Sequence, residues 1–365
     1  MTDDLHPARL MRSAGMWGVI LALSVLFGLV LQRLHVPAAW ILAAIIASAL
    51  VAAVTHREIE QNRHYFTFVR SIIAVISAQP IVESAPGDLL QFILPGIFAT
   101  VVTLSIGVVG GLALHRTHPE VSQESGILSM LAGGASLMPP LARELGADVN
   151  FVLLTQYLRL LTVSISLPLL APLMGLTHDV AGRTHPAPTV AGLVVLAVVL
   201  LVGEPLGKLL RLPAPAILGP MFLTVAIAWT VTALNGGDTA TFSVTIPQPI
   251  RILAFMSIGW MAGGGLNMQA LRRITRLLPA IFLFIAVLMA GCAATAWVLS
   301  QWLSISFLDA YLATSPGGLE TVLALSDEAQ SGAVVAATQV IRVIGVLGIA
   351  GWLPQIIRAI TRTRN

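Results

Sequence analysis

The sequence predicts an all-α polytopic membrane protein of about ten transmembrane helices plus two Gly-broken segments, arranged as two inverted-topology repeats. Three observations predict it: the composition, the recurrence of motifs along the chain, and the placement of basic residues. Hydrophobic residues make up 56% of the 365 positions, charged residues 10%, and the mean hydropathy is +0.89. No water-soluble fold hides that much apolar surface. The 31 Gly and 21 Pro fit the same reading, since both are more frequent in transmembrane helices than in soluble ones. The formal charge of +3 comes from 20 Lys and Arg scattered in ones to threes between apolar runs, so the expected partner is the lipid bilayer and not nucleic acid. One cysteine, Cys292, excludes an intramolecular disulfide and a cysteine metal cluster.

Apolar runs able to cross about 30 Å of hydrocarbon lie near 14–34, 37–54, 66–82, 90–114 and 149–175, and again near 188–207, 213–234, 248–268, 277–300 and 333–355. Between the last two spans of each set lies a shorter, Gly-broken stretch, 126–142 and 308–326. The first run leads into Gln32-Arg33-Leu34-His35 with no small-residue cleavage site, so it reads as a retained span. The expected organisation is a cytoplasmic N-terminus 1–13, a first membrane repeat 14–176, a second 188–357 and a cytoplasmic C-terminus 358–365.

Residues recur in order between the halves. Val36-Pro37-Ala38-Ala39-Trp40-Ile41-Leu42 matches Leu212-Pro213-Ala214-Pro215-Ala216-Ile217-Leu218. Ala132-Gly133-Gly134 matches Pro316-Gly317-Gly318, and Thr155-Gln156-Tyr157-Leu158-Arg159 matches Thr338-Gln339-Val340-Ile341-Arg342. The displacement stays near 176 to 184 residues, which marks an internal duplication.

These motifs carry a family resemblance over nearly the whole chain. Ser315-Pro316-Gly317-Gly318-Leu319-Glu320 with Gln339-Val340-Ile341-Arg342, and Leu145-Gly146-Ala147-Asp148-Val149 with Gln156-Tyr157-Leu158-Arg159, resemble the duplicated membrane family called AbrB. That family carries the labels ammonia monooxygenase and, by a shared name, transcriptional regulator. The first half reads Ala132-Gly133-Gly134-Ala135-Ser136-Leu137 where the family pattern is Pro-Gly-Gly-Leu-Ser-Glu, so the resemblance does not extend an acidic residue to both halves.

Basic loops choose between parallel and inverted repeats. If the broken segments return to their own side, thirteen basic residues (among them Arg63, Arg116, Lys208, Arg211 and Arg276) share the side of the N-terminus, leaving Arg33 and Arg183 opposite. If they cross, the split is nine against seven. The positive-inside rule therefore favours inversion, with both termini cytoplasmic in a cell inner (plasma) membrane. Inverted repeats with two broken segments are the plan of many secondary transporters.

The candidate site follows from that plan. A Gly-Gly break at membrane depth needs protein or a water-filled cavity around it. Ser315 reads as an N-cap with Pro316 at the first helical position, which would start a half-helix there; Gly133-Gly134 followed by Ser136 does so less sharply. Helix N-termini bind anions. Arg159 and Arg342 lie about ten residues into matching spans, where insertion scales charge roughly 2.5 to 3.5 kcal/mol for Arg. Gln156 and Gln339 share their helical faces. The alternative is structural: each Arg caps the carbonyl end of a half-helix, or pairs with Glu320 or Glu144. Glu320 reads as a proton or cation site or as a neutraliser of Arg342, with Glu204 and Asp309 as weaker acids; Arg70 and Arg251 read as interfacial anchors.

The sequence has no P-loop Gly-Lys-Ser/Thr, no Gly-x-Ser-x-Gly elbow, no zincin helix and no clustered histidines of the kind a copper oxygenase needs. The expectation is a non-enzymatic carrier without cofactor or metal, moving a small, anionic solute and coupled to a proton or sodium ion. The alternatives are a membrane sensor acting through partners and, from the family label, a monooxygenase. A homodimer is compatible with the general preference for two-fold symmetry.

Overall fold

The computed structural model describes residues 7–36, 38–56, 58–59, 61–84, 86–131, 138–170, 190–212, 214–234, 244, 246–265, 271, 274–329 and 331–350. All fifteen described elements are helices. In order they are α1 (Pro7–Arg33), α2 (Ala39–Thr55), α3 (Arg63–Val82), α4 (Pro86–Leu90), α5 (Ile93–Thr117), α6 (Gln123–Met130), α7 (Met138–Glu144) and α8 (Val149–Leu170). There follow α9 (Val190–Leu209), α10 (Pro215–Leu234), α11 (Gln248–Gly264), α12 (Leu278–Leu303), α13 (Phe307–Thr314), α14 (Leu319–Glu328) and α15 (Ala333–Ala350). Seven are long and apolar enough to cross a membrane, and α2 and α15 contribute shorter apolar stretches. The chain is an all-α polytopic membrane protein.

The duplication is visible in the backbone. His35 and Ala38 take left-handed conformations between α1 and α2, and Arg211 and Ala214 do so between α9 and α10. The same bonds close both turns: Val36 N–H donates to Leu31 O at 3.0 Å, and Leu212 N–H to Gly207 O at 2.8 Å. A non-glycine residue held at positive φ costs of order 1 kcal/mol, so four at matching places mark one turn used twice.

Contacts between the connections settle which ends share a face. Ile59 N–H donates to Gly264 O at 3.0 Å, placing the α2–α3 connection beside the end of α11; this is face A. On the other side, face B, Arg251 at the start of α11 pairs with Asp327 at the end of α14 at 3.0 Å. The Ala38 backbone N–H donates to the Glu328 carboxylate, which brings the α1–α2 turn to the same face.

The broken segments are re-entrant. Helix α6 enters from face A after α5, and Asp148 N–H, at the head of α8, donates to Ser125 Oγ at 2.8 Å. The segment therefore leaves where it came in. Helix α13 enters from face B after α12 and α14 returns there, as the Arg251–Asp327 pair requires. One hairpin from each face is the signature of inversion. Close backbone approach holds the first against α5: a Cβ on Gly126 would sit 2.5 Å from Gly111 O, so only small residues fit that crossing. Helix α3 runs unbroken through Pro80 and α11 runs to Gly264.

Inversion has a direct test. Glu120→Cys, after α5, and Gln301→Cys, near the end of α12, occupy comparable places in the two repeats. A membrane-impermeant maleimide should reach them from opposite sides, while native Cys292, 1% exposed, stays silent. Labelling of both from one side contradicts the arrangement.

Candidate functional site

A helix that stops inside hydrocarbon leaves its last carbonyls with no water to bond. Helix α6 ends at Met130 and α13 at Thr314, with Leu131 and Ser315 turning extended at ψ 123° and 139°. In each repeat the next crossing helix supplies the missing donors. Gln156 Nε2, on α8, donates to Leu128 O at 2.8 Å and Leu131 O at 3.0 Å, and Arg159 Nη1 to Leu131 O at 2.7 Å. Gln339 Nε2, on α15, donates to Leu312 O at 2.8 Å and Ala313 O at 3.2 Å. Arg342 Nη1 donates to Ser315 O, and Nη2 to Gly317 O at 3.3 Å. The three-residue spacing puts amide and guanidinium on one helical face, and the cation faces the negative end of the half-helix.

This is the carbonyl-capping arrangement that the sequence allows as the structural alternative. All four side chains are buried, the arginines 3% and 4% exposed. The same atoms are left over in both repeats: Gln156 Oε1 with Arg159 Nε, and Gln339 Oε1 with Arg342 Nε. The Arg159 and Arg342 guanidiniums lie within electrostatic range of one another, as does Cys292 of α12. Among the described residues neither has a carboxylate within ion-pair distance. Among the described residues, these two buried arginines are compensated by helix ends and not by carboxylates.

Three expectations for the second hairpin change. Ser315 does not start α14: it is the C-cap of α13, and the N-cap of α14 is Gly318, with no side-chain bond. Pro316 and Gly317 bridge the two half-helices, so the free N–H groups of the tip belong to the first turn from Leu319. Glu320 does not neutralise Arg342. It lies 2.8 Å from Arg70 Nε, and Arg70 also stands 4.6 Å over the Phe66 ring. Arg70 and Arg251, expected as interfacial anchors, each pair with one end of α14, where a largely buried guanidinium needs a counter-charge. Of the weaker acids, Glu204 pairs with Lys208 at 2.7 Å and Asp309 sits 2.7 Å from the Ser306 hydroxyl at the start of its own helix. Gly133, Gly134 and Ser136 lie outside the described residues. Gly317 and Gly318 abut α8: a Cβ on each would meet Val163 at 3.2 Å and Leu160 at 3.0 Å.

A cavity of about 500 Å³ enters from the face A side. The cations Arg63, Arg70 and Lys208 line it against the acids Glu58 and Glu204, with Tyr157 on its wall. Sequence reasoning missed this cluster. The available signal was Arg70 itself, a second basic residue seven positions beyond Arg63 and inside an apolar helix.

Two opposed re-entrant hairpins around a polar interior define a class: integral membrane proteins built from inverted repeats with discontinuous helices. The chain belongs to the AbrB family, whose model, described as "Transition state regulatory protein AbrB", matches residues 46–360. It is similar to "Putative regulator AbrB" of Escherichia coli, 31% identical over 336 residues, covering 91% of this chain and 93% of that protein. It is also similar to "Uncharacterized protein YhjN" of Bacillus subtilis, 23% identical over 348 residues and 90% of each chain. A UPF0324 membrane protein of Brucella suis is 29% identical over 224 residues, 57% of this chain and 59% of that one.

The capping geometry orders two substitutions. Arg342→Ala strips the side-chain donor from two carbonyls, each costing about 1 to 3 kcal/mol if left unpaired, whereas Arg159→Ala removes one bond from Leu131 O and leaves it the one from Gln156. The Tm of purified protein in detergent should fall for both and further for Arg342→Ala. An unchanged Tm in both variants removes the capping role.

Proposed function

We propose that this protein is a secondary carrier of a small, anionic solute, working without catalysis or cofactor through a midplane site between the two inverted repeats. The observation that carries the reading is the meeting of the second hairpin with the face A cavity: Arg70 lines the cavity and pairs with Glu320 at the tip of α14. Discontinuous helices whose tips face a water-accessible cavity are the usual construction of a carrier's solute site. The sign of the solute follows from charge. At the cavity Arg63, Arg70 and Lys208 are matched by Glu58, Glu204 and the Glu320 that pairs with Arg70, so the positive excess comes from Arg159 and Arg342 in the bundle interior. Arg159, Arg342, Gln156 and Gln339 serve this site by holding the half-helices in place, while Arg70 and the first turn of α14 face the solute. In this reading face A, with its excess of basic connections, is cytoplasmic, both termini lie there, the membrane is the inner membrane, and a proton or sodium gradient drives movement.

The regulatory description of the Escherichia coli relative favours a second reading, in which the cavity binds its ligand to signal to partners and nothing crosses. Counterflow separates the two. Protein reconstituted in vesicles loaded with unlabelled small carboxylates, or with inorganic oxyanions, should take up the labelled anion faster than protein-free vesicles, and an imposed proton or sodium gradient should change the rate. Binding of an anion with no counterflow by any member of the panel ends the carrier reading in favour of the sensor.

A further inference from the structure

The Arg70–Glu320 contact is one-sided. Arg70 Nε lies 2.8 Å from Glu320 Oε1, but that N–H is not aligned for a hydrogen bond. No second carboxylate among the described residues reaches the guanidinium. An Arg fork presents two donor edges, and bidentate pairing with an oxyanion uses two parallel N–H groups. Glu320 engages a single nitrogen, and poorly. Exposure separates the partners: the Arg70 side chain is 30% exposed and lines the cavity, whereas Glu320 is 11% exposed and sits behind it. Phe66 holds the guanidinium plane from one side, which keeps the fork oriented with or without its acid.

Glu320 also has a second source of stabilisation. It is the second residue of α14, in the first turn, where the helix N-terminus favours negative charge. Separation from Arg70 therefore does not strand the carboxylate in an apolar site. The other cavity ion pair is different: Glu204 and Lys208 lie four residues apart on one helix, so parting them moves nothing else. The Arg70–Glu320 pair instead joins two helices of different repeats, α3 and α14, at one end of their packed contact.

We propose that Arg70 is the anion-receiving group of the face A cavity, and that Glu320 is its internal placeholder, displaced from the guanidinium when a small carboxylate or other oxyanion enters. The inference rests on the carrier reading for its class of ligand and adds the group that takes the charge. An entering oxyanion gains the bidentate geometry that Glu320 lacks, and its arrival frees the midplane end of α14.

The test follows Arg70 directly. Full-length protein in lipid nanodiscs is treated with phenylglyoxal, which modifies accessible guanidiniums, and the Arg70 peptide is quantified by mass spectrometry with acetate or inorganic phosphate as the probe anion. One of the two should protect Arg70 in the wild type, and which one does so separates a carboxylate ligand from a phosphate-like one. Glu320→Gln removes the competing charge, so the half-protecting concentration should fall, by about tenfold if the ion pair with Arg70 is fully displaced on binding. Glu320→Asp keeps the charge but shortens its reach and should shift protection in the same direction, which covers a Gln variant that does not fold. No protection by either anion, or protection that neither variant shifts, overturns the proposal. Protection without counterflow retires the carrier reading and leaves the anion site standing; counterflow with Arg70 unprotected does the reverse.

Discussion

The architecture depends on one constraint, that a helix ending in hydrocarbon must have its carbonyls bonded by protein. The chain meets it twice with the same pair of side chains. The amide at position 156 or 339 and the guanidinium at 159 or 342 reach across to the end of the preceding half-helix. Without them neither α6 nor α13 could stop at membrane depth, and neither tip would exist. The insertion cost of two buried arginines is thus offset by the peptide groups they bond, which explains their burial without any ligand.

Much of the fold was legible because lipid enforces simple rules. Each of the ten apolar runs corresponds to a described helix, seven of them long and apolar enough to cross a membrane, and the basic connections already favoured re-entrant segments over crossing ones. The Gln-x-x-Arg pairs stood out for the same reason, since an arginine in an apolar span is costly. Their role was not legible: sequence places donors on a helix face and cannot say whether a backbone or a ligand accepts. The Ser315-Pro316 start of a half-helix failed on similar grounds. A Ser-Pro pair serves as well at the end of one helix as at the start of the next, and ψ of 139° at Ser315 decides it. The pairing of Arg70 was not legible because its acid lies far along the chain, in the other repeat. Alanine at positive φ gave no warning either, since Ala38 and Ala214 carry none of the residue preferences that mark a left-handed turn.

The two repeats are alike in frame and unlike in chemistry. Both use the same turn, the same carbonyl caps and the same hairpin. The acid at the tip belongs to the second repeat, at Glu320, and the cavity on the face A side draws on both repeats, Arg70 from the first and Lys208 from the second.

Helix α14 is fastened near its midplane end to α3 of the first repeat and at its face B end to α11 of the second. A stiff rod about 15 Å long, tethered to a different body at either extremity, cannot slide with one and ignore the other. Any slip of α3 past α11 is converted into a swing of that rod about whichever tether holds. Mechanically, α14 is a link between the two halves of the molecule, pinned to each by one ion pair.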